Sequence, residues 1–598
     1  LLEGTKLAPI KELEWQRAVY QLPVGSINMV NVTKSNFLEQ SNDLIANLPN
    51  AAFIAIDEEM TGISLPESPR PPKDDTPAQR YKTLKAVPER YSIIQFGVAL
   101  FMKNKDEEGF TVKKYNFYLF PSSNNREVTL NPSSIAFLKE HDMDFNLWTK
   151  EGIPFCTTAQ AEEMMAKYKK KAQALLDAAP IRPFDPSRKV ELTRAEDVNF
   201  HARAMASLRE WIDSARSANE EGTSFLLPPA NAFLRRAMYE SIGNEYPSLI
   251  LEKFGSNQIR VLRMTEEEKS VRRQRQRQEA WEWLMVEELG FWRVFYALSL
   301  ANQGNQPINS IALASNMEEV GLSEVLQLRP NRKVPIVVHN GLMDLLFALT
   351  HCHSSTLPDN YKDCKALIRQ YFPLLYDTKI MATEGATRHD NTMLSQLFSS
   401  VVPEALAADL RLADDSTSEQ MHEASHDAYM TGAVFYGLSL ASAPEDGILP
   451  WSVGKHGTIL RDRYVQNKLY LMLTMYTIDL MEQQDPLSRG MHVDATYRVT
   501  GSDPNVATRD IVRCLTSLQS PFPDTRLHFE IVWVDDTTFL VAARDDSNLE
   551  RLLQHGTLIE GALKARFSSS SVVGLKEYLD TQDAIVNQNK KRPWSIWN

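Results

Sequence analysis

Apolar and polar positions follow two rhythms along this chain. Phe53-Ile54-Ala55-Ile56 is a continuous apolar run that predicts a buried strand, and it ends abruptly in Asp57-Glu58-Glu59 before Met60 and a bend at Thr61-Gly62. Residues two apart share one face of a strand, so Asp57 and Glu59 point together and Glu58 points the other way. Tyr91 to Phe101 and Tyr115 to Phe120 are β-rich runs separated by a charged turn from Lys103 to Gly109, which predicts antiparallel neighbours for the first strand. A helical, charged pattern follows from Thr157 to Glu220, with helices over Glu162 to Ala178 and Ala202 to Ala218. Thr223 to Thr265 reads as a small α+β unit: a turn at Pro228-Pro229, a helix Asn231 to Ile242, and strands at Leu249 to Leu251 and Gln258 to Leu262.

The first pattern resumes with the short apolar strand Val334 to Val338, which breaks at His339-Asn340-Gly341 into a helix from Leu342 with Asp344 in its first turn. Met421 to Ala433 opens an apolar helix through Leu440 that carries Asp427 among small residues. After a linker marked by Pro444 and Gly447, a helix is expected around Asn467 to Met481. Asp494 to Phe567 then reads β-α-β-β-α-β, the split βαβ order, with a last strand near Ala562 to Phe567 and a polar, loose tail beyond. The predicted organisation is a main α/β domain in two parts (29–180 and 271–445), an insert with flanking helices (181–270), a linker and helix (446–490), a C-terminal domain (491–570) and the tail (571–598).

Composition narrows the partners. The 598 residues, 43% hydrophobic and 24% charged, provide for several cores, and a net charge of -12 argues against a wholly basic protein that coats nucleic acid. Any polyanion must be held locally. The basic run Val271 to Gln278 lies in a predicted long helix and reads either as a solvated face or as an RNA-backbone contact. Cys156, Cys352, Cys364 and Cys514 show no framework spacing, as in a reducing compartment, and His351-Cys352-His353 has no second ligand pair at zinc-finger spacing. No apolar run reaches the roughly 20 residues of a membrane span, and residues 1–28 lack the blocks of a secretion signal. A soluble protein of the cytoplasm, the nucleus or both is expected.

The acids carry the chemistry. Two carboxylates on one face of a buried strand end repel each other unless a cation sits between them, and a hard divalent metal is the natural partner; solvated acids on an edge strand are the alternative. Asp344, taken alone, is also explained by the preference of acids for helix N-termini.

In order, Asp57-x-Glu59 on a strand, Asp344 after a strand and His422-x4-Asp427 opening a helix resemble the DEDDh 3'→5' exonucleases. Ala55-Ile56-Asp57-x-Glu59-x-x-Gly62-Ile63-Ser64, Asn116 to Pro121, Asp144-Phe145-Asn146 with Gly152-Ile153-Pro154, His339-Asn340-x-x-x-Asp344, Asp377-Thr378-Lys379 and His422-Glu423-Ala424-x-x-Asp427-Ala428-Tyr429-x-Thr431-Gly432 are similar to the poly(A)-specific ribonuclease (PARN) family and its small-RNA-trimming relatives.

The resemblance implies an α/β fold: a ribonuclease H-like DEDD exonuclease domain with a mixed sheet flanked by helices, an inserted small α+β RNA-binding-type domain and a C-terminal RNA-recognition-like domain. It implies a Mg²⁺-dependent 3'→5' exoribonuclease that releases 5'-nucleotides from a free 3'-OH of poly(A) or small RNA. Two ions would be held by Asp57, Glu59, Asp344 and Asp427, with Mn²⁺ able to substitute, and His422 would be the general base. His426 competes by proximity, but the family spacing selects His422. Ile63, Ser64, Asn340 and Lys379 match substrate positions, and Trp533 matches the position expected to stack a 5' cap, with a core tryptophan as the other reading. A homodimer and an Argonaute-type small-RNA carrier are further expected partners.

The chain also departs from the pattern. The insert offers Arg235, Arg236 and Tyr239 but no Arg-x-x-x-His, Thr538 to Ala543 lacks the base-stacking signature, and Met60 replaces an aromatic residue. A catalytically idle RNA-binding scaffold and a DNA 3'→5' exonuclease are the competing functions.

Overall fold

The computed structural model describes residues 30–66, 75–104, 109–121, 127–176, 190–214, 224–304, 310–317, 332–385, 388–412, 423–441, 465–488, 490–516, 518, 528–545 and 549–590. In chain order the strands are β1 (Val30–Val32), β2 (Ala51–Met60), β3 (Ile93–Lys103), β4 (Phe110–Tyr118), β5 (Ser224–Leu226), β6 (Ile250–Phe254), β7 (Gln258–Leu262), β8 (Ile336–Val338), β9 (Leu375–Asp377), β10 (Leu410–Leu412), β11 (Lys468–Tyr470), β12 (Thr477–Asp479), β13 (Met491–Thr500), β14 (His528–Asp535), β15 (Thr538–Arg544) and β16 (Ser571–Gly574). The helices needed below are α1 (Pro77–Leu84), α2 (Leu342–Cys352), α3 (Tyr361–Tyr371), α4 (Ala424–Ala441), α5 (Leu549–Arg566) and α6 (Leu575–Lys590).

Two compact units form. One comprises Leu1–Ala161, Val286–Leu313 and Gly321–Asn598, and the other Glu162–Met285 with Ala314–Val320. The first is built on a mixed sheet in the order β1-β4-β3-β2-β8-β9, with β10 also pairing with β4. β2, β3 and β4 are antiparallel neighbours, as the three β-rich runs predict, while β8 and β9 continue the sheet in parallel beside β2. Both faces of the middle strands are buried, which is why Phe53 to Ile56 reads as an uninterrupted apolar run and Ile93 to Phe101 as an apolar run broken only by Gln95 and Gly97.

α4 covers one face. Phe53 stacks on Phe101 at 4.5 Å between ring centroids and meets Phe435 of α4 edge-on at 4.9 Å. Burial of each such ring is worth about 1.5–3 kcal/mol. Close approach of helix to sheet depends on two glycines. A Cβ on Gly97 of β3 would lie 2.0 Å from the Ala424 carbonyl oxygen, and one on Gly432 of α4 would lie 2.1 Å from the Phe101 ring.

In the second unit β5, β7 and β6 form an antiparallel sheet, packed with the helices Ala195–Ser214 and Ala232–Glu245 through Leu208, Leu234, Met238, Ile259 and Val261. Asn231 caps the Ala232–Glu245 helix by accepting the Leu234 N–H at 2.9 Å. The basic run lies in the helix Glu266–Trp283, where Arg272 pairs with Glu252 and Arg275 with Glu279 at 2.8 Å.

Three sequence expectations are corrected. The region Asn467 to Met481 is not a helix but the antiparallel hairpin β11–β12. Ala562 to Phe567 is not the last strand: through Arg566 it belongs to α5, and the fourth strand of the C-terminal sheet is β16. The stretch 571–590 is not loose, because it forms β16 and then α6, and the rest of the predicted tail lies outside the described residues. The C-terminal sheet has the order β14-β15-β13-β16. One face packs on α5 through Val499, Phe539, Ile559 and Leu563. The other is covered by Leu575, Tyr578 and Leu579 of α6 together with Met475 and Leu487.

Candidate active site

β2 ends at the site with the alternation predicted for it. Asp57 and Glu59 are half-buried on the face that carries Phe53 and Ala55, and Glu58 between them is buried. A register shift in the pairing of β2 with β3 falls between Glu59 and Met60, a local irregularity of the kind that re-aims side chains beside active sites. Across the pair Asp57 faces Gly97, and the space that glycine leaves admits the start of α4. That helix delivers Asp427 in its first turn, so carboxylate oxygens of Asp57, Glu59 and Asp427 all lie within 4.8 Å of one another. Asp344 occupies the first turn of α2, 9% exposed, and its charge bears on both Asp57 and Glu59.

The electrostatics are those of a site short of positive charge. Burial, then Asp427, Asp344 and Glu59, push the Asp57 carboxyl well above the usual range. Burial and the same two neighbouring aspartates raise Glu59 to about 8, burial and Asp377 raise Asp344 to about 8, and burial raises Asp427 to about 7. Oδ1 of Asp427 is buried with no hydrogen-bond partner. Oxygen ligands converging from two elements, with an orphaned acceptor among them, fit a hard divalent cation such as Mg²⁺ or Mn²⁺.

His422 lies outside the described residues. Glu423, next to it, is buried, and its carbonyl accepts the N–H groups of His426 at 2.8 Å and Asp427 at 3.1 Å. His426 has its ring 6.4 Å from that of Tyr429.

The residues after β2 turn sharply. Thr61 is locked by its N–H to Ser92 O at 2.8 Å and by the Ser92 N–H to its hydroxyl at 2.9 Å. Gly62 lies against the Tyr91 ring, where a Cβ would be 2.6 Å from the nearest ring atom. Ile63, 63% exposed, and Ser64 then face outward.

Asn340 and Lys379 are brought together. Both backbone N–H groups are accepted by Oδ1 of the buried Asp377, at 2.9 and 3.0 Å, and Asn340 takes a left-handed conformation with φ 56° at the end of β8. Sequence reasoning placed Asp377 in a motif without a role, and passed over Gly97; the signal for each was a polar or small residue at a position of otherwise apolar sheet. Trp533 belongs to the C-terminal domain. It packs on Phe539 with centroids 4.9 Å apart and donates its indole N–H to Thr508 at 2.8 Å, on the helix side of that sheet.

A sequence model of the CAF1 family ribonucleases matches residues 32–435. The human poly(A)-specific ribonuclease PARN is 26% identical over 540 residues, covering 86% of this chain and 76% of the human protein. The pre-piRNA 3'-exonuclease trimmer of Bombyx mori is 22% identical over 433 residues, covering 70% and 72%. These relatives agree with the resemblance drawn from the motifs. Among solved structures, the Mg²⁺- and Mn²⁺-bound form of S. pombe Pop2p is 14% identical with a TM-score of 0.33, covering 74% of this chain and 98% of that one.

Proposed function

Because this chain belongs to the CAF1 ribonuclease family, we propose that it is a metal-dependent 3'→5' exoribonuclease of the DEDDh type, acting on poly(A) or small-RNA 3' ends. The observation that carries the reading is the convergence of Asp57, Glu59 and Asp427 within 4.8 Å, with all three carboxyls raised by burial. A scaffold has no use for buried acids that repel one another. Bound Mg²⁺, held by these three with Asp344 beside them, supplies charge neutralisation at the scissile phosphate and a more acidic attacking water.

The chain's own groups do the rest. His422 takes the proton of the attacking water, because imidazole is the side chain whose unperturbed charge change falls nearest neutral pH. Asn340 and Lys379 hold ribose and phosphate of the terminal nucleotides, while Ile63 and Ser64 border the terminal base. Polarity follows from a site that seats a free 3'-OH nucleotide and excludes continuing chain.

The test is purified protein with Mg²⁺ and 5'-labelled RNAs ending in A, U or mixed sequence, with free or blocked 3' ends. The expected result is a ladder shortening from free ends only, lost on chelation and in Asp57→Ala and His422→Ala. Equal cutting of blocked ends, or preference for the DNA counterpart, overturns the proposal. Binding without cleavage would instead favour the scaffold.

A further inference from the structure

We propose that Tyr470, on the hairpin that follows the sheet, is a positioning residue that holds the Lys379 ammonium as a phosphate contact for RNA running into the acid site. The inference rests on the exoribonuclease reading and adds to it a segment that lies beyond residue 435, where the family match ends.

Asp377 is the geometric centre. It is fully buried at the end of β9, and its Oδ2 accepts the Tyr470 N–H at 3.0 Å while Oδ1 serves Asn340 and Lys379. One carboxylate thus fixes the ends of β8, β9 and β11 relative to one another. Its neighbour in charge is Asp344, so this junction stands beside the acids. It also lies at the carboxyl ends of parallel strands, where open α/β sheets receive their ligands.

From this junction the Lys379 Nζ sits 4.8 Å from the centroid of the Tyr470 ring. Among the described residues no carboxylate pairs with that ammonium, although it is half-buried and burial lowers its pKa against the opposing pull of Asp377. A ring face attracts a cation without consuming its N–H donors. The lysine is therefore held in place with its hydrogen bonds still available to a phosphate.

The ring itself is carried on a braced element. Asn467 at the start of the hairpin accepts the Leu375 N–H at 2.9 Å and donates to Pro373 O at 3.2 Å. Arg80 of α1, 5% exposed, donates to the carbonyls of Met472 at 3.0 Å and Leu473 at 3.3 Å beyond the ring. Asp485, after β12, takes Lys365 Nζ at 2.7 Å and the Tyr361 hydroxyl at 2.7 Å, both from α3. A side chain that steers another gains from such support, because a loosely held positioning group cannot fix its target.

The test uses the full chain with Ca²⁺ in place of Mg²⁺, a 5'-labelled oligo(A) and KCl from 50 to 200 mM. Lys379→Met should lower the slope of log K against log salt by about 0.7, the share of one single-strand phosphate. Tyr470→Leu should lower it equally and weaken binding about 3–10-fold at low salt, an effect of the size expected for one cation contact. The double variant should lose nothing further, and Tyr470→Phe should keep the wild-type slope. An unchanged slope in Tyr470→Leu, or additive losses in the double variant, overturns the inference while leaving the enzyme reading intact if wild-type protein still shortens RNA. Wild-type protein that neither binds nor shortens RNA overturns both. Should Tyr470→Leu fail to fold, wild-type protein with ¹³C-methylated lysines decides: the Lys379 signal, assigned with Lys379→Arg, should be ring-shifted and should move on adding oligo(A), and a signal that ignores RNA refutes the contact.

Discussion

Gly97→Ala is the most searching perturbation of the acid site, because it changes no acid. The added methyl carbon would lie 2.0 Å from Ala424 O, 2.1 Å from its carbonyl carbon and 2.4 Å from Ser425 N, all backbone of the first turn of α4. Ordinary contact begins at 3.4 Å, so helix and strand must part by about 1.4 Å at a point three residues from Asp427. Overpacking of this kind costs about 1–3 kcal/mol of stability. The larger effect is on the site, since a misplacement of about 1 Å can cost on the order of 100-fold in rate. Gly243→Ala is the matched control: it lies in the helix Ala232–Glu245 with nothing within 4 Å of its added carbon, and gains about 0.5–1 kcal/mol from helix propensity. The assay pairs the rate of 5'-labelled RNA shortening with the Mg²⁺-induced rise in melting temperature. Gly97→Ala is expected to lose both, at a melting temperature still well above the assay, while Gly243→Ala loses neither. A Gly97→Ala protein with wild-type rate and wild-type Mg²⁺ response would falsify the claim that backbone contact at Gly97 sets the Asp57 to Asp427 spacing.

Two further predictions come from the same charges. In chelator, the folded protein keeps protons on Glu59 and Asp344 up to about pH 8 and on Asp427 up to about pH 7, whereas the unfolded chain releases them near pH 4. Stability from these groups is therefore full below about pH 4 and lost as pH rises through 7 to 8; thermal melts with chelator should fall from pH 5 to pH 8, and Mg²⁺ should restore stability at pH 8 far more than at pH 5. Glu58 is 5% exposed with neither carboxylate oxygen partnered, and burial, Asp344 and Asp57 push its carboxyl well up. Glu58→Met should stabilise the protein by about 1–3 kcal/mol at pH 8 in denaturant titrations with RNA shortening retained; a destabilised variant would show that Glu58 has a bonded role.

The acids were legible in the sequence because their signal is local. Period two put Asp57 and Glu59 on one face, and turn residues set Asp344 and Asp427 at helix starts. What the period could not tell is that Glu58, on the opposite face, meets protein and not water. Asn467 to Met481 misled because Leu469, Leu471, Met472 and Met475 suit a helix face, and the hairpin wins through distant groups, Asp377 and Arg80, that local pattern cannot see. Near the C-terminus Gly556 and Gly561 look like breaks before a strand. Gly556 is instead a packing residue inside α5, where a Cβ would come within 2.8 Å of Ala495. Gly97 and Asp377 carry only a faint local mark, a small or polar residue in otherwise apolar sheet, and their importance comes from contacts distant in sequence.

The parallel pairing of β2 with β8 has a consequence for synthesis. Ala55 leaves the ribosome about 280 residues before its partner Val337, and at about 5–20 residues per second β2 waits on the order of 14–56 s with that edge unpaired. An apolar strand held open for so long is a template for pairing with another nascent chain. Three consecutive carboxylates close its exposed end during that interval, since like charges stacked in register repel a second copy. Asp57 and Glu59, the proposed metal ligands of the finished protein, thereby serve first, together with Glu58, as gatekeepers of the unfinished one.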